Sequence, residues 1–459
     1  MLRIALVLCI LCPVAAAQSP VNVEPYRDAA ARISAAALAD SSAFELTALF
    51  VDRFPRRLSG SQMLEDGIDW LLERLVEGGI QNVRGQEVVV PHWVRGEESL
   101  TVIEPVAEAV PMALLGLGGS VGTDPGGLTA EVLVVRDFDE LEARSSEVAG
   151  RIVVFNAPFT TYGATVQYRS TGPARAAALG AAAALVRSIT QYSLQTPHTG
   201  GTRYAEDGPR IPAAAITIEA AEWLQRRQNR GDRTILNLQM GAHQLPDAIS
   251  RNVIGEIVGR ERPEEVVVLG GHIDSWDIGQ GAHDDAAGVF VTWRAMQLLH
   301  DLGLQPRRTV RFIAWTNEEN GLRGAWEYRN SLSDEDIANH VLALEVDFGV
   351  FEPVGFGIAA DEGFAAALKP IEELIWPLLT DSDQFQRGIV PGSGAPDLIP
   401  LMQAGIPGVG FHTDNERYFW YHHTAADTVD KLDPGYMARA VAAIATFIYV
   451  VADMPETIR

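Results

Sequence analysis

Residues 264–303 read EEVVVLGGHIDSWDIGQGAHDDAAGVFVTWRAMQLLHDLG, and the fold turns on them. The run Val266–Leu269 is apolar without alternation, which suits a strand buried on both faces. From Ala286 the apolar residues fall at helical spacing until Gly303, a residue type that commonly closes a helix. Strand, polar loop and helix form the unit of a sheet covered by helices, in which ligands bind beyond the carboxyl ends of the strands. The loop GGHIDSWDIGQGAHDD, 270–285, carries two histidines and four aspartates. Taken alone it could be an acidic surface loop, a calcium loop or half of a metal site. Histidine speaks against calcium, which takes oxygen ligands.

The pattern continues on both sides. NVIGEIVG precedes the stretch, and RRTVRFIAWTNEE, NHVLALEVDFG and GIPGVGFH follow as strands. Helices are expected around Arg323–Tyr328, Gly363–Trp376 and from Pro434 to about Ala452. This predicts an α/β fold, a largely parallel mixed sheet sandwiched by helices. Upstream, helical patterns run to Phe54 and over MLEDGIDWLLERLVEGG, while NVRGQEVVVPHW and SLTVIEP read as strands. A Gly/Pro-rich stretch near 107–127 marks a boundary. Beyond it TAEVLVV, GRIVVFN and IPAAAITIEAAEWLQRR suggest a small α/β domain of its own, with GPARAAALGAAAALVRSI read as helix. The expected organisation is a leader at 1–17, a main domain in two parts at 18–110 and 241–459, and an inserted domain at 111–240.

The 459 residues carry a formal charge of −24, which argues against nonspecific nucleic-acid binding, since that rests on neutralising phosphates with Lys and Arg. At the amino end, Arg3 precedes an apolar run from Ile4 to Leu11 that is too short to span a membrane, and Ala15–Ala17 offer a cleavage point. A secretory signal cut after Ala17 is expected, giving an exported, periplasmic or secreted protein without a membrane span. Both cysteines, Cys9 and Cys12, fall in that leader. Cysteine nucleophiles and cysteine-ligated zinc therefore drop out.

Four ionisable clusters follow strands: His272 with Asp274 and then Asp284 and Asp285; Glu318 with Glu319; Asp347; and FWYHHTAADT with His422 and His423. Paired glutamates or a histidine pair mean little singly. Asp347 ends an apolar strand, where a buried carboxylate without a partner is costly. Zinc takes about four histidine and carboxylate ligands, and two neighbouring zincs share one carboxylate. His272, Asp284, Glu319, Asp347 and one of His422/His423 supply that set. Glu318, adjacent to a ligand, is placed to act as a base. Asp274, two residues after His272, could accept the second imidazole N–H. A water between two such ions is acidified, and the reaction class is amide hydrolysis. A serine esterase would need a G-x-S-x-G elbow between a strand and a helix, and the match at 118–122, within GLGGSVG, is read as following no strand and preceding no helix. His283 and Asp397 read as a loop-packing residue and a helix cap; His300 and His340 read as solvent-facing.

HID, the aspartate twelve residues beyond that histidine, NEE, EVDF twenty-eight beyond the second glutamate, and HTAADT together resemble the co-catalytic dizinc aminopeptidase family. RRLSGS near residue 60 and the inserted segment are similar to it as well. The resemblance implies a zinc exopeptidase fold with an inserted protease-associated-type domain, two zinc ions per chain, and a secreted, commonly dimeric enzyme cleaving dipeptides or short peptides. An aminopeptidase acting on longer peptides and a non-catalytic receptor of the same fold are the alternatives. It further implies that one zinc is held by His272 and Asp347 and the other by Glu319 and His423. Asp284 would bridge, Glu318 would be the general base and Asp274 would orient His272. Many members carry tyrosine just before the last histidine ligand. Here Tyr421 stands one place too early and His422 takes that position, so His422 is expected to donate to the oxyanion.

Overall fold

The chain's structure, a computed structural model, describes residues 19–106, 108–456 and 458; the expected leader, with both cysteines, lies outside the described residues. Val266–Leu269 do form a buried strand, Arg262–His272, at the middle of an eight-stranded sheet. The order across the sheet is 81–94, 243–257, 308–315, 262–272, 340–345, 408–413, 353–359 and 388–391. The four central strands, from 308–315 to 408–413, are mutually parallel, and antiparallel pairs flank them on both sides.

The absence of alternation in the sequence has a direct cause. Val267 and Leu269 pack on one face with the helices Ala287–Asp301 and Pro434–Asp453, while Val266 and Val268 pack on the other with Ala325, Tyr328, Leu398 and Leu401. Successive side chains alternate faces, and here both faces are core. Burial of each such side chain contributes roughly 1.5–3 kcal/mol, so both faces of the strand resist polar substitution. The helix Pro434–Asp453 is long and apolar enough to cross a membrane, with a mean hydropathy of 1.6, yet most of it is buried inside the fold. Asp433 caps it by accepting from the Gly435 and Tyr436 N–H groups.

A second eight-stranded sheet spans residues 98–240, in the order 110–112, 98–104, 235–240, 128–135, 152–155, 183–187, 213–216 and 114–116. Glu98–Glu104, placed by the sequence in the main domain before residue 111, pairs antiparallel with Ile235–Met240 and so belongs to this sheet. The alanine-rich run read as one helix is helix only over Gly172–Ala178. The chain turns at Gly180 (φ +82°), and Ala183–Arg187 is a strand between two parallel neighbours. Alanine favours helix intrinsically, but a fully buried strand position accepts it, and tertiary context decides. His340, expected in solvent, is buried, with its Nε2 2.8 Å from the Tyr328 hydroxyl.

Candidate active site

The strand ends deliver their polar residues to one place. His272 terminates the central strand, and Glu318 and Glu319 follow its neighbour Arg308–Trp315. Asp347 follows His340–Glu345 on the other side. His272 Nε2 lies 3.1 Å from Asp347 Oδ1 and 3.3 Å from Asp284 Oδ1. His423 Nε2 lies 3.1 Å from Glu319 Oε2 and 3.3 Å from Asp284 Oδ2. The two oxygens of Asp284 thus face two separate His–carboxylate pairs, the arrangement of a bridging ligand. All five residues are buried.

The electrostatics of the cluster suit a cation at this place. Burial raises Glu319 and Asp347 above the usual carboxylate range, and the neighbouring Asp284 charge adds to it while His272 opposes. For Asp284 burial works the same way, but the His272 hydrogen bond and the charges of His422 and His423 outweigh it and hold its carboxyl below that range. Its Oδ2 is buried without a hydrogen-bond partner. Mutually repelling buried carboxylates, an unpartnered oxygen and imidazole nitrogens turned inward suit zinc, which takes N and O ligands.

Ligand-competent atoms also converge in the groups Asp284–His422–His423 and His272–Asp285–Asp347. Asp285 is already committed. Its Oδ2 accepts from the His272 N–H at 3.0 Å and its Oδ1 from the Gly288 N–H at 3.2 Å. The close fit explains two glycines, because a Cβ on Gly271 or Gly288 would come within 2.4 or 2.2 Å of that carboxylate. Asp285 therefore ties the end of the strand to the start of the helix Ala287–Asp301.

Asp274 acts differently from the expectation. Its carboxylate is 3.8 Å from His272 Nδ1, whereas its main-chain carbonyl is 3.0 Å away and accepts that N–H. The chain has left the strand by Asp274, so alternation no longer aligns the two side chains. The carboxylate instead accepts the Glu318 N–H at 3.0 Å and the Glu319 N–H at 3.3 Å, setting the turn that carries both glutamates. Glu318 itself is partly exposed, and its carboxylate makes no hydrogen bond among the described residues. Burial and the Asp347 charge raise its pKa well above the usual range.

The histidine pair is held from the second sheet's side. His423 sits in the left-handed region (φ +60°), uncommon for a non-glycine residue. Its carbonyl accepts the Thr199 N–H at 3.0 Å, and the His422 carbonyl is 2.9 Å from His198 Nδ1, which must carry the proton. His423 Nδ1 lies 3.2 Å from the Thr199 carbonyl and 3.3 Å from Arg169 Nη1; with its proton given to the carbonyl, Nε2 is left free for a metal. His422 stacks on His423 at 3.5 Å, with its Nε2 3.7 Å from Asp284 Oδ2. Burial lowers the His422 pKa to about 4, so it is neutral with one N–H to donate. If that N–H reaches the oxyanion, His422→Phe should lower kcat by about 10²-fold with KM and zinc content kept; an unchanged kcat rules the role out.

Sequence spacing did not find Asp427, Arg57 or Arg169. Asp427 accepts the His283 N–H at 2.8 Å and the Asp284 N–H at 3.1 Å, and burial pushes its pKa to about 7. Its signal was present in HTAADT, which enters the sequence reading only as part of the family resemblance. Asp397 is no cap: the short helix Pro396–Leu398 has no side-chain cap, and the Asp397 N–H donates to Glu345 Oε2 at 3.1 Å. His283 stacks on Phe351 at 4.2 Å. His300 is exposed.

The fold and the likeness to known proteins together define a metallo-exopeptidase. The chain belongs to peptidase family M28, whose family model matches residues 252–448. It is 44% identical over 413 residues to carboxypeptidase Q of Mus musculus, covering 90% of this chain and 86% of that protein. It is 43% identical over 418 residues to carboxypeptidase Q of Homo sapiens, covering 91% and 87%. Among solved structures, the peptidase M28 precursor from Shewanella amazonensis SB2B superposes with a TM-score of 0.89 at 29% identity, over 95% of this chain and 99% of that one. A zinc aminopeptidase from Bacillus subtilis shares the fold at 18% identity, with a TM-score of 0.68 over 91% and 98%.

Proposed function

We propose that this metallo-exopeptidase is a carboxypeptidase Q-like dipeptidase with two zinc ions per chain, acting on dipeptides or short peptides through their free carboxyl end. His272 and Asp347 would hold one ion, Glu319 and His423 the other, with Asp284 between them. Zinc bound there supplies Lewis acidity and eases deprotonation of the attacking water. Glu318 takes that proton and returns it to the departing amine. Asp274, through two main-chain N–H groups, holds Glu318 and Glu319 in register, and His422 faces the developing oxyanion.

Arg169 carries the choice of end. It is only 4% exposed, and among the described residues it forms no ion pair. Its Nη1 donates to the Thr199 carbonyl at 2.8 Å and lies 3.3 Å from His423 Nδ1, its Nη2 donates to the Tyr162 hydroxyl at 2.7 Å, and its Nε has no partner. With its Nε unpartnered, this buried guanidinium keeps a donor to spare, and a substrate carboxylate is the group that fits its planar fork. The half-buried Tyr162 ring meets His422 edge-on at 5.3 Å, so this cation lines the wall of the metal site.

Assays of one dipeptide with either end blocked test the assignment. Blocking the carboxylate is expected to cost about 10²-fold in kcat/KM, and Arg169→Met to cost the same on free-carboxylate substrate, mainly in KM. Equal activity on the amidated peptide, with loss on blocking the amine instead, would make the enzyme an aminopeptidase. We further infer export of the chain, from the leader-like residues 1–17, and a homodimer. The exposed cross-strand pair Val89 and Ile249 is an apolar surface available for self-association, and light scattering of the mature protein reads that state directly.

A further inference from the structure

RRLSGS, residues 56–61, lies far in sequence from every candidate ligand, yet its second arginine is one of the largest fully buried side chains of the protein. Arg57 Nε donates to the Ile273 carbonyl at 2.8 Å, and Nη1 donates to the Phe54 and Gln280 carbonyls at 2.9 and 2.8 Å. Nη2 donates to the Gly281 carbonyl at 3.1 Å. The main chain joins in: the Arg57 N–H donates to Ser275 Oγ, and the Ser275 N–H to the Arg57 carbonyl, each at 3.1 Å. The guanidinium rests over the Phe50 ring, 4.9 Å from its centre.

All of these acceptors but the Phe54 carbonyl share a feature. Ile273, Ser275, Gln280 and Gly281 all belong to the loop between His272, at the end of its strand, and Asp284, which faces both His–carboxylate pairs. We propose that Arg57 is a positioning residue for the metal centre, whose guanidinium fastens both ends of the 273–281 loop and so sets the span between His272 and Asp284. It touches neither substrate nor reacting atoms. Two physical arguments carry this. Only a planar fork with fixed donor directions reaches carbonyls on both sides at once, which the single ammonium of lysine cannot reproduce. Burial lowers the Arg57 pKa to about 10, so the guanidinium, satisfied by neutral carbonyls, keeps its charge at neutral pH, and the carboxylates of Asp274, Asp427, Glu319 and Asp285 favour that charge. Ser59 extends the hold, accepting from Asn317 Nδ2 at 3.0 Å beside the glutamate turn.

The inference rests on the two-zinc reading, so the wild-type protein is measured first, by zinc titration against a chelator and by the absorption spectrum of the cobalt-substituted form. A wild type that binds no second ion refutes that reading and with it the need for a held span. Given two ions, Arg57→Lys is expected to weaken binding of the second by about 10- to 100-fold and to change the cobalt spectrum. It should also lower kcat at saturating zinc by about 10²-fold with KM nearly constant. A role in stability alone predicts a lower Tm with affinity, spectrum and kcat per folded molecule unmoved, and that result overturns the proposal. Should Arg57→Lys fail to fold, Ser275→Ala removes only the hydroxyl that accepts the Arg57 N–H and leaves no charge unpaired. It should weaken the second ion by at least about threefold, and wild-type affinity in Ser275→Ala overturns the proposal as well.

Discussion

Glu318→Gln should retain its metal and lose about 10²- to 10⁴-fold in kcat, the usual contribution of a positioned general base. Glutamine keeps the size and the main-chain N–H that donates to Asp274, so the turn through Glu318 and Glu319 is preserved. What it removes is a carboxylate that no described residue engages, beside a buried group of acids. Because Glu318 contacts neither histidine of the bridged pairs, zinc content and Tm should match the wild type. Metal analysis and steady-state kinetics on one preparation decide the matter. Normal turnover would end the assignment of Glu318 as the base, and loss of zinc would mean that it is a ligand instead.

How far the site is legible in the sequence depends on how local each signal is. The central strand announced itself because burial on both faces leaves an unalternated apolar run. His272, Glu319 and Asp347 stood out because each is an ionisable residue at the end of such a run. Their convergence needed only the rule that parallel strands point their carboxyl ends the same way. Arg57 and Arg169 were hidden for the opposite reason. Arg57 acts through main-chain carbonyls more than two hundred residues away, and carbonyls leave no mark on residue identity. Arg169 comes from the second sheet's domain and meets the site only because Thr199 and His198 clasp the His422–His423 turn. Asp274 falls between these cases. Its importance was readable, but the atom that meets His272 is its carbonyl, since the chain turns one residue after the strand ends. The alanine-rich run shows the limit of propensity, with one residue type serving a helix before Gly180 and a buried strand after it.

Asp284→Asn should cost more than the loss of any other single candidate ligand, and the comparison with Asp347→Asn gives the reason. Among the two histidines of the bridged pairs Asp347 meets His272, so its loss should weaken one ion and leave the Glu319–His423 pair able to bind the other. Asp284 faces His272 through one oxygen and His423 through the other, so neutralising it withdraws charge from both positions at once. An amide presents one oxygen and one NH₂ group, and the NH₂ cannot serve as a ligand. Zinc content near one per chain is expected for Asp347→Asn, and well below one for Asp284→Asn at the same free zinc. Activity should fall by roughly 10⁴-fold or more in Asp284→Asn, since several kcal/mol of Lewis-acid stabilisation go with the metals. The Asp427 carboxylate would still accept the main-chain N–H groups of residues 283 and 284, so the turn itself should survive and the Tm measured with a chelator present should change little. Equal zinc loss in the two variants would contradict a bridging position, because it would leave Asp284 no more shared than Asp347.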